Sequence, residues 1–152
     1  MKTKQQKPLP IRWMTRRDMP EVLAIETATD FPWCEEEFIT ALRQRNCIGM
    51  VTESGSRVVG YMIYELHKNR LHILKMAVHP SVMRRGVGTV MVSKLAGKLS
   101  MDRRSRIMAE VRETNLDACL FLKAMGFRAI SILRDYFDGE DGLLFQYRMP
   151  AQ

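Results

Sequence analysis

The chain has 152 residues, 46% of them hydrophobic, with 24 Lys and Arg against 17 Asp and Glu for a formal charge of +7. That length suits one compact domain with a full core and excludes two. No apolar run approaches the roughly eighteen residues of a membrane span, and Met1 to Pro10 lacks the apolar core of a signal peptide. A cytoplasmic chain with a flexible tail over 1–10 and one domain over 11–152 is therefore expected. The positive charges are scattered, with no basic stripe interleaved with aromatics, so direct nucleic-acid binding is not expected. Cys34, Cys47 and Cys119 are odd in number, lack metal-ligand spacing and lie beside apolar residues, which reads as reduced core thiols without a disulfide or a metal.

Ile11-Arg12-Trp13-Met14 reads as a first strand. Asp18 as a cap and Pro20 near the first turn then predict a helix through Ala28, with Val22, Leu23 and Ile25 on its apolar face. Phe31-Pro32-Trp33-Cys34 interrupts, and the acids Glu35, Glu36 and Glu37 open a second helix through Gln44. Residues 47–53 and 57–66 alternate across Ser54-Gly55-Ser56 as a hairpin, and Lys68-Asn69-Arg70 is the next turn. Leu71 to Val78 is a mostly apolar strand ended by Pro80. A glycine turn follows, and residues 90–99 have helical spacing. Residues 106–112 form a strand, and 115–125 a helix closed by Gly126. Residues 130–133 and 143–149 are the last strands. The order predicts an α/β (α+β) domain, a mixed central sheet of about seven strands flanked by about four helices.

The turn Arg84-Arg85-Gly86-Val87-Gly88-Thr89 carries the chemistry. Glycines let backbone N–H groups approach a ligand, and the first turn of the next helix adds free donors and a positive dipole end, so a phosphate is the natural partner. A P-loop is excluded because Gly88 is followed by Thr89 and Val90 with no lysine. A dinucleotide fingerprint is excluded because Met91 stands where a third glycine is required. The turn instead resembles the pyrophosphate loop of the GNAT superfamily of acetyl-CoA-dependent N-acetyltransferases, Gln/Arg-x-x-Gly-x-Gly/Ala after a strand ending Val-x-Pro, with Met83 departing at the first position. The element order over 11–149 is also the one GNAT domains show.

Acetyl transfer to an amine needs a neutral nucleophile, a route for its proton and a polarised thioester carbonyl. Glu110, between Ala109 and Val111 on an apolar strand, is the candidate proton acceptor; the competing reading is a solvent-facing residue paired with Arg112 or Arg128. Ala109-Glu110-Val111-Arg112-Glu113-Thr114-Asn115 resembles Leu-Glu-Val-Arg-x-x-Asn of the bacterial ribosomal-protein-alanine branch, RimI. That resemblance implies Glu110 as general base and Asn115 as an acetyl-CoA contact. It also implies cofactor-binding backbone groups at Met76, Ala77 and Val78, on a strand that splays from its neighbour, together with Arg84 to Thr89.

Ile25-Glu26 with Phe31-Pro32-Trp33-Cys34-Glu35 is similar to the branch's segment bordering the substrate groove, which nominates Phe31 and Trp33, with core packing as the alternative. Arg134-Asp135-Tyr136-Phe137 resembles the segment closing over a peptide N-terminus and nominates Tyr136. Lys75 stands where the branch often has asparagine, and Leu122 where it has the tyrosine that protonates the departing thiolate. Tyr136 is the candidate substitute acid, while His67, His72 and His79 read as structural or exposed. The function implied is acetyl-CoA-dependent acetylation of a protein N-terminal α-amine, a ribosomal protein being one candidate, by a monomer or weak dimer that uses no metal and no membrane. A small amine or lysine acceptor, or a non-catalytic acyl-CoA-binding domain, are the alternatives.

Overall fold

The computed structural model describes residues 9–150. Of the expected N-terminal tail, residues 1–8 lie outside the described residues, whereas Leu9 packs against the core and the Pro10 carbonyl accepts from Glu53 N at 3.2 Å. The order is β1 (Ile11–Trp13), α1 (Met19–Glu26), α2 (Glu35–Leu42), β2 (Cys47–Ser54), β3 (Arg57–Leu66), β4 (Arg70–Val78), α3 (Val87–Ala96), β5 (Arg106–Arg112), α4 (Leu116–Ala124), β6 (Arg128–Leu133) and β7 (Gly142–Arg148). The seven strands and four helices match the expected architecture. Helix α3 begins at Val87 rather than Val90, so the glycine turn runs directly into its first turn. None of the described helices is long and apolar enough to cross a membrane.

The seven strands form one sheet in the order β1-β2-β3-β4-β5-β7-β6, antiparallel except for the parallel pair β4 and β5. Strand periodicity gives the sheet two apolar faces, each covered by a helix pair. Val87, Met91 and Leu95 of α3 and Cys119 and Leu122 of α4 pack with Leu71, Ile107 and Phe145 on one face. Val22 and Ile25 of α1 and Phe38 of α2 pack with Val51, Tyr61 and Ile63 on the other. β4 pairs with β5 only from Arg70 opposite Arg106 to Ile73 opposite Ala109. The β3–β4 register slips at the same level: Ile63 faces Lys75 and Tyr64 faces Ile73, leaving Leu74 as the extra residue of a bulge. A bulge bends and twists its strand, and here it coincides with the point at which β4 parts from β5.

Two buried carboxylates tie the helices of the first layer to the sheet. Asp18 does not cap α1 with its side chain, as its position suggested. It closes a single 3-10 turn over Arg16–Asp18 by accepting from Thr15 N at 2.7 Å, and it takes two hydrogen bonds of 2.7 Å from the Arg12 guanidinium on β1. Glu26 is fully buried. Its carboxylate accepts from Trp33 N at 2.8 Å and from the Tyr61 hydroxyl on β3, with the Lys75 ammonium of β4 3.2 Å away. Burial, then the Glu26 carboxylate, pushes the Tyr61 phenol up, so it stays a donor.

Both ties predict measurable costs. The Arg12 hydrogen bonds, opposed in part by burial, hold the Asp18 carboxyl at about 2, below its ordinary 3.8. A depressed carboxylate contributes stability that is complete above the unfolded pKa and lost as pH falls through the folded one. After discounting for the exposed Arg12 side chain the contribution is about 1–2 kcal/mol, so Asp18→Asn should lower urea stability by that amount at pH 7 and by almost nothing at pH 2. Glu26→Ala would strip the Lys75 ammonium of its counter-charge and leave the buried Tyr61 hydroxyl without its acceptor, and should cost about 3–5 kcal/mol in the same unfolding experiment.

Candidate active site

Beyond Ile73, the edge of β4 that faces β5 is unpaired, so the backbone of residues 74–78 borders a cleft between the two strands. Met76 and Val78 turn their side chains into the α3–α4 core, which leaves their peptide groups as the polar contribution to the cleft. At the end of β4, His79 N donates to Val59 O and His79 Nδ1 accepts from Ser81 N, forming the single turn over Pro80–Val82. His79 is thus structural, as its sequence context suggested.

The glycine turn divides its work between its two glycines. Gly86 has φ +81° with open space where a Cβ would stand, a conformation that suits glycine before α3. Gly88 serves close packing instead: a Cβ there would meet the Phe121 ring of α4 at 3.1 Å. Arg84 is also left-handed, at φ 66°. Val87, Gly88 and Thr89 occupy the first turn of α3, where N–H groups have no intrahelical acceptor. With Arg84 and Arg85 exposed beside them, these donors and the helix dipole fit a pyrophosphate group. Asn115 caps α4 by accepting from Ala118 N at 3.2 Å; its amide NH2 is not engaged by that bond.

Glu110 lies near the free end of β5 with its side chain 17% exposed, and its partner is neither Arg112 nor Arg128. It is His72 on β4, whose Nε2 stands 2.5 Å from Glu110 Oε2. The sequence context suggests a structural or exposed His72; the parallel β4–β5 pairing instead sets it against the candidate base, a relation that no local pattern in the sequence encodes.

Arg112 is committed elsewhere. Its guanidinium lies 3.5 Å from the Phe31 ring centre and 4.6 Å from that of Phe137, and donates to Glu140 at 3.0 Å. The arrangement joins the α1–α2 loop to the β6–β7 loop (134–141) at the end of the strand carrying Glu110. Glu140 also accepts from Thr114 N and the Thr114 hydroxyl, and Asp141 accepts from Asp135 N at 2.8 Å, so the second loop is pinned at several points.

The nominated aromatics separate. Phe31 is 53% exposed, with its ring on Arg112. Trp33 is half-buried and meets Phe38 edge-on at 5.2 Å, which is the packing alternative. Lys75 is neither in the groove as a free cation nor idle: it bonds Phe31 O at 3.1 Å and Glu26, fixing the loop that presents Phe31. Tyr136 is 54% exposed, and partial burial followed by the nearby Glu110 charge pushes its phenol up. Leu122 is buried in the α3–α4 core, so that position carries no proton donor.

An open cleft between parted parallel strands, phosphate-binding donors at one end and a carboxylate at its other face can align an acyl thioester with an amine. The Acetyltransferase (GNAT) family model matches residues 10–127. The [Ribosomal protein bS18]-alanine N-acetyltransferase of Escherichia coli (strain K12) is 27% identical over 126 residues, covering 82% of this chain and 84% of that protein. The crystal structure of the Escherichia coli ribosomal-protein-S18-alanine N-acetyltransferase superposes with a TM-score of 0.82 at 22% identity, over 94% of this chain and 95% of that one. Arabidopsis thaliana NAA60 in complex with acetyl-CoA superposes at 0.77 and 15% identity, over 92% and 98%. The fold, the cleft and the family match together make the chain a member of the GNAT family and an N-acetyltransferase that uses acetyl-CoA.

Proposed function

We propose that the chain acetylates the α-amino group of a protein N-terminus, a ribosomal protein being the leading candidate, with Glu110 as general base. The observation that carries this reading is the position of Glu110 at the free end of β5, between the open edge of β4 and two loops tied by Phe31, Arg112 and Phe137. That enclosure suits an extended peptide end. The Escherichia coli relative's name, a ribosomal-protein alanine acetyltransferase, supports the same acceptor class.

Bound acetyl-CoA supplies an acetyl thioester. The N–H groups of Gly86 to Thr89, with Arg84 and Arg85, hold its pyrophosphate, and backbone groups of Met76 to Val78 and the Asn115 amide orient the rest. Strand N–H groups in a partly dry cleft stabilise the charge that develops on the acetyl oxygen. Glu110 takes the proton of the acceptor ammonium, leaving the amine lone pair free for attack, and His72 holds the carboxylate in place. The thiolate that departs has an ordinary pKa near 8.5 and needs little help from an acid at neutral pH, which accounts for an apolar residue at Leu122. Tyr136 and Phe31 flank the acceptor, Tyr136 by a hydrogen bond to the peptide end.

Acetylation of peptides beginning Ala-Arg, Ser and Met-Leu, with spermidine and free lysine as controls, tests the acceptor class through CoA release and product mass. Turnover confined to spermidine or the lysine side chain would replace the peptide reading with a small-amine one. Glu110→Gln should lower kcat by about 10²–10⁴-fold while leaving CoA affinity unchanged; equal loss of both would remove the base assignment. Tyr136→Phe should raise KM for the peptide with little change in kcat. A kcat loss well beyond that of Leu122→Ala would instead make Tyr136 the acid for the leaving thiolate.

A further inference from the structure

The turn end of the β3–β4 hairpin gathers three metal-ligating side chains, of which acetyl transfer needs only one. Glu65 and His72 are directly opposed in the antiparallel register, and His67 stands two residues beyond Glu65. His67 Nε2 lies 3.0 Å from Glu65 Oε1, and the His67 and His72 rings are 6.1 Å apart. One donor atom from each of the three lies within 4.8 Å of the others. The backbone beneath them is fixed. His67 N donates to Arg70 O at 2.9 Å, Leu66 N to Asn46 O at 2.7 Å, and the Arg104 guanidinium to His67 O at 2.6 Å. Glu65 and His72 stand on paired strands and His67 in the turn between them that these bonds pin, and donors held on rigid elements are better placed than donors on free loops.

We propose that Glu65, His67 and His72 bind a divalent transition cation of the zinc class. Two imidazoles and one carboxylate form a donor set that Zn²⁺ and its neighbours accept at about 2.0–2.2 Å, whereas Mg²⁺ and Ca²⁺ select oxygen ligands. A small contraction of the Glu65, His67 and His72 side chains, 25%, 29% and 16% exposed, brings them to that distance, and the same exposure lets the ion exchange with solvent. Three protein ligands leave a fourth position for water.

The ion also reaches the acetyl-transfer site, and this consequence rests on Glu110 being the base. His72 is the residue shared between the two. Ligation through Nε2 removes the nitrogen that faces Glu110. Ligation through Nδ1 commits the Nε2 proton to the carboxylate, in the way that metal-bound histidines usually donate to an outer carboxylate. In the first case Glu110 loses the partner that holds it in place, and in the second one of its oxygens stays engaged, so occupancy slows turnover in either geometry.

The full-length protein, stripped with a chelator and carrying Cys34→Ser to remove the exposed thiol, tests this directly. Zn²⁺ binding is read by competition with a chromophoric chelator, and Co²⁺ binding by its visible absorption. One equivalent of Zn²⁺ is expected to bind, with Mg²⁺ failing to compete. His67→Ala and Glu65→Gln should each weaken the affinity at least roughly tenfold and abolish the tetrahedral Co²⁺ bands. Zn²⁺ should slow acetylation in the parent and not in His67→Ala. Affinity unchanged in both variants, or absent from the parent, overturns the site. A filled site with unaltered turnover overturns its link to Glu110. Binding is measured without acetyl-CoA or acceptor, so its failure is distinct from failure of the N-terminal acetylation reading.

Discussion

β4 and β5 share backbone hydrogen bonds only from Arg70 to Ile73, and the parting of the two strands beyond that point is the constraint on which the site depends. Two parallel strands that stayed paired would satisfy each other's peptide groups and leave no polar lining for a thioester. The Leu74 bulge keeps β4 paired to β3 while redirecting it, so the loss of pairing falls on one edge only. The edge remains available because unpaired peptide groups facing an open cleft can be met by water or a ligand, whereas buried ones are costly. Phosphate donors at the start of α3 and the carboxylate on β5 are then set at the two ends of one opening.

The acceptor side is built differently, from charge and aromatic contacts between loops. Glu26 and Lys75 hold the α1–α2 loop, Glu140 and Asp141 hold the β6–β7 loop, and the Arg112 guanidinium lies against rings from both. A guanidinium against aromatic faces suits this role because it is weakly hydrated and can stack as well as donate. Glu26 is the most exacting member, since it brings a carboxylate into a fully buried position with an ammonium, a phenol and a peptide N–H as its partners among the described residues.

The succession of elements along the chain, the glycine turn and the place of Glu110 on a strand were legible because each is a local pattern: alternation, a turn composition, or an apolar run with one acid. Helix starts were less so. Asp18 looked like a cap for α1, yet a guanidinium from β1 outcompetes the helix donors for it. Gly88 looked like a phosphate glycine, yet the Phe121 ring on another helix is what excludes a Cβ there. His72 and Glu110 are 38 residues apart and meet only because a parallel pair aligns them. The partners of Lys75 and Arg112 come from α1, the α1–α2 loop and the β6–β7 loop, which no local pattern announces. The common cause is register across the sheet and between loops, which composition and periodicity do not carry.

The sheet separates two interiors, one with α3 and α4 and the other with α1 and α2. The first underlies the helix proposed to receive the nucleotide phosphates, and the second underlies the loop proposed to meet the acceptor. Substitutions that reshape one interior are screened from the other by a layer of hydrogen-bonded backbone. A lineage descending from such a fold can therefore drift in what it modifies while its donor chemistry stays under unchanged selection, and paralogues of divergent acceptor taste need share no more than one half of their packing.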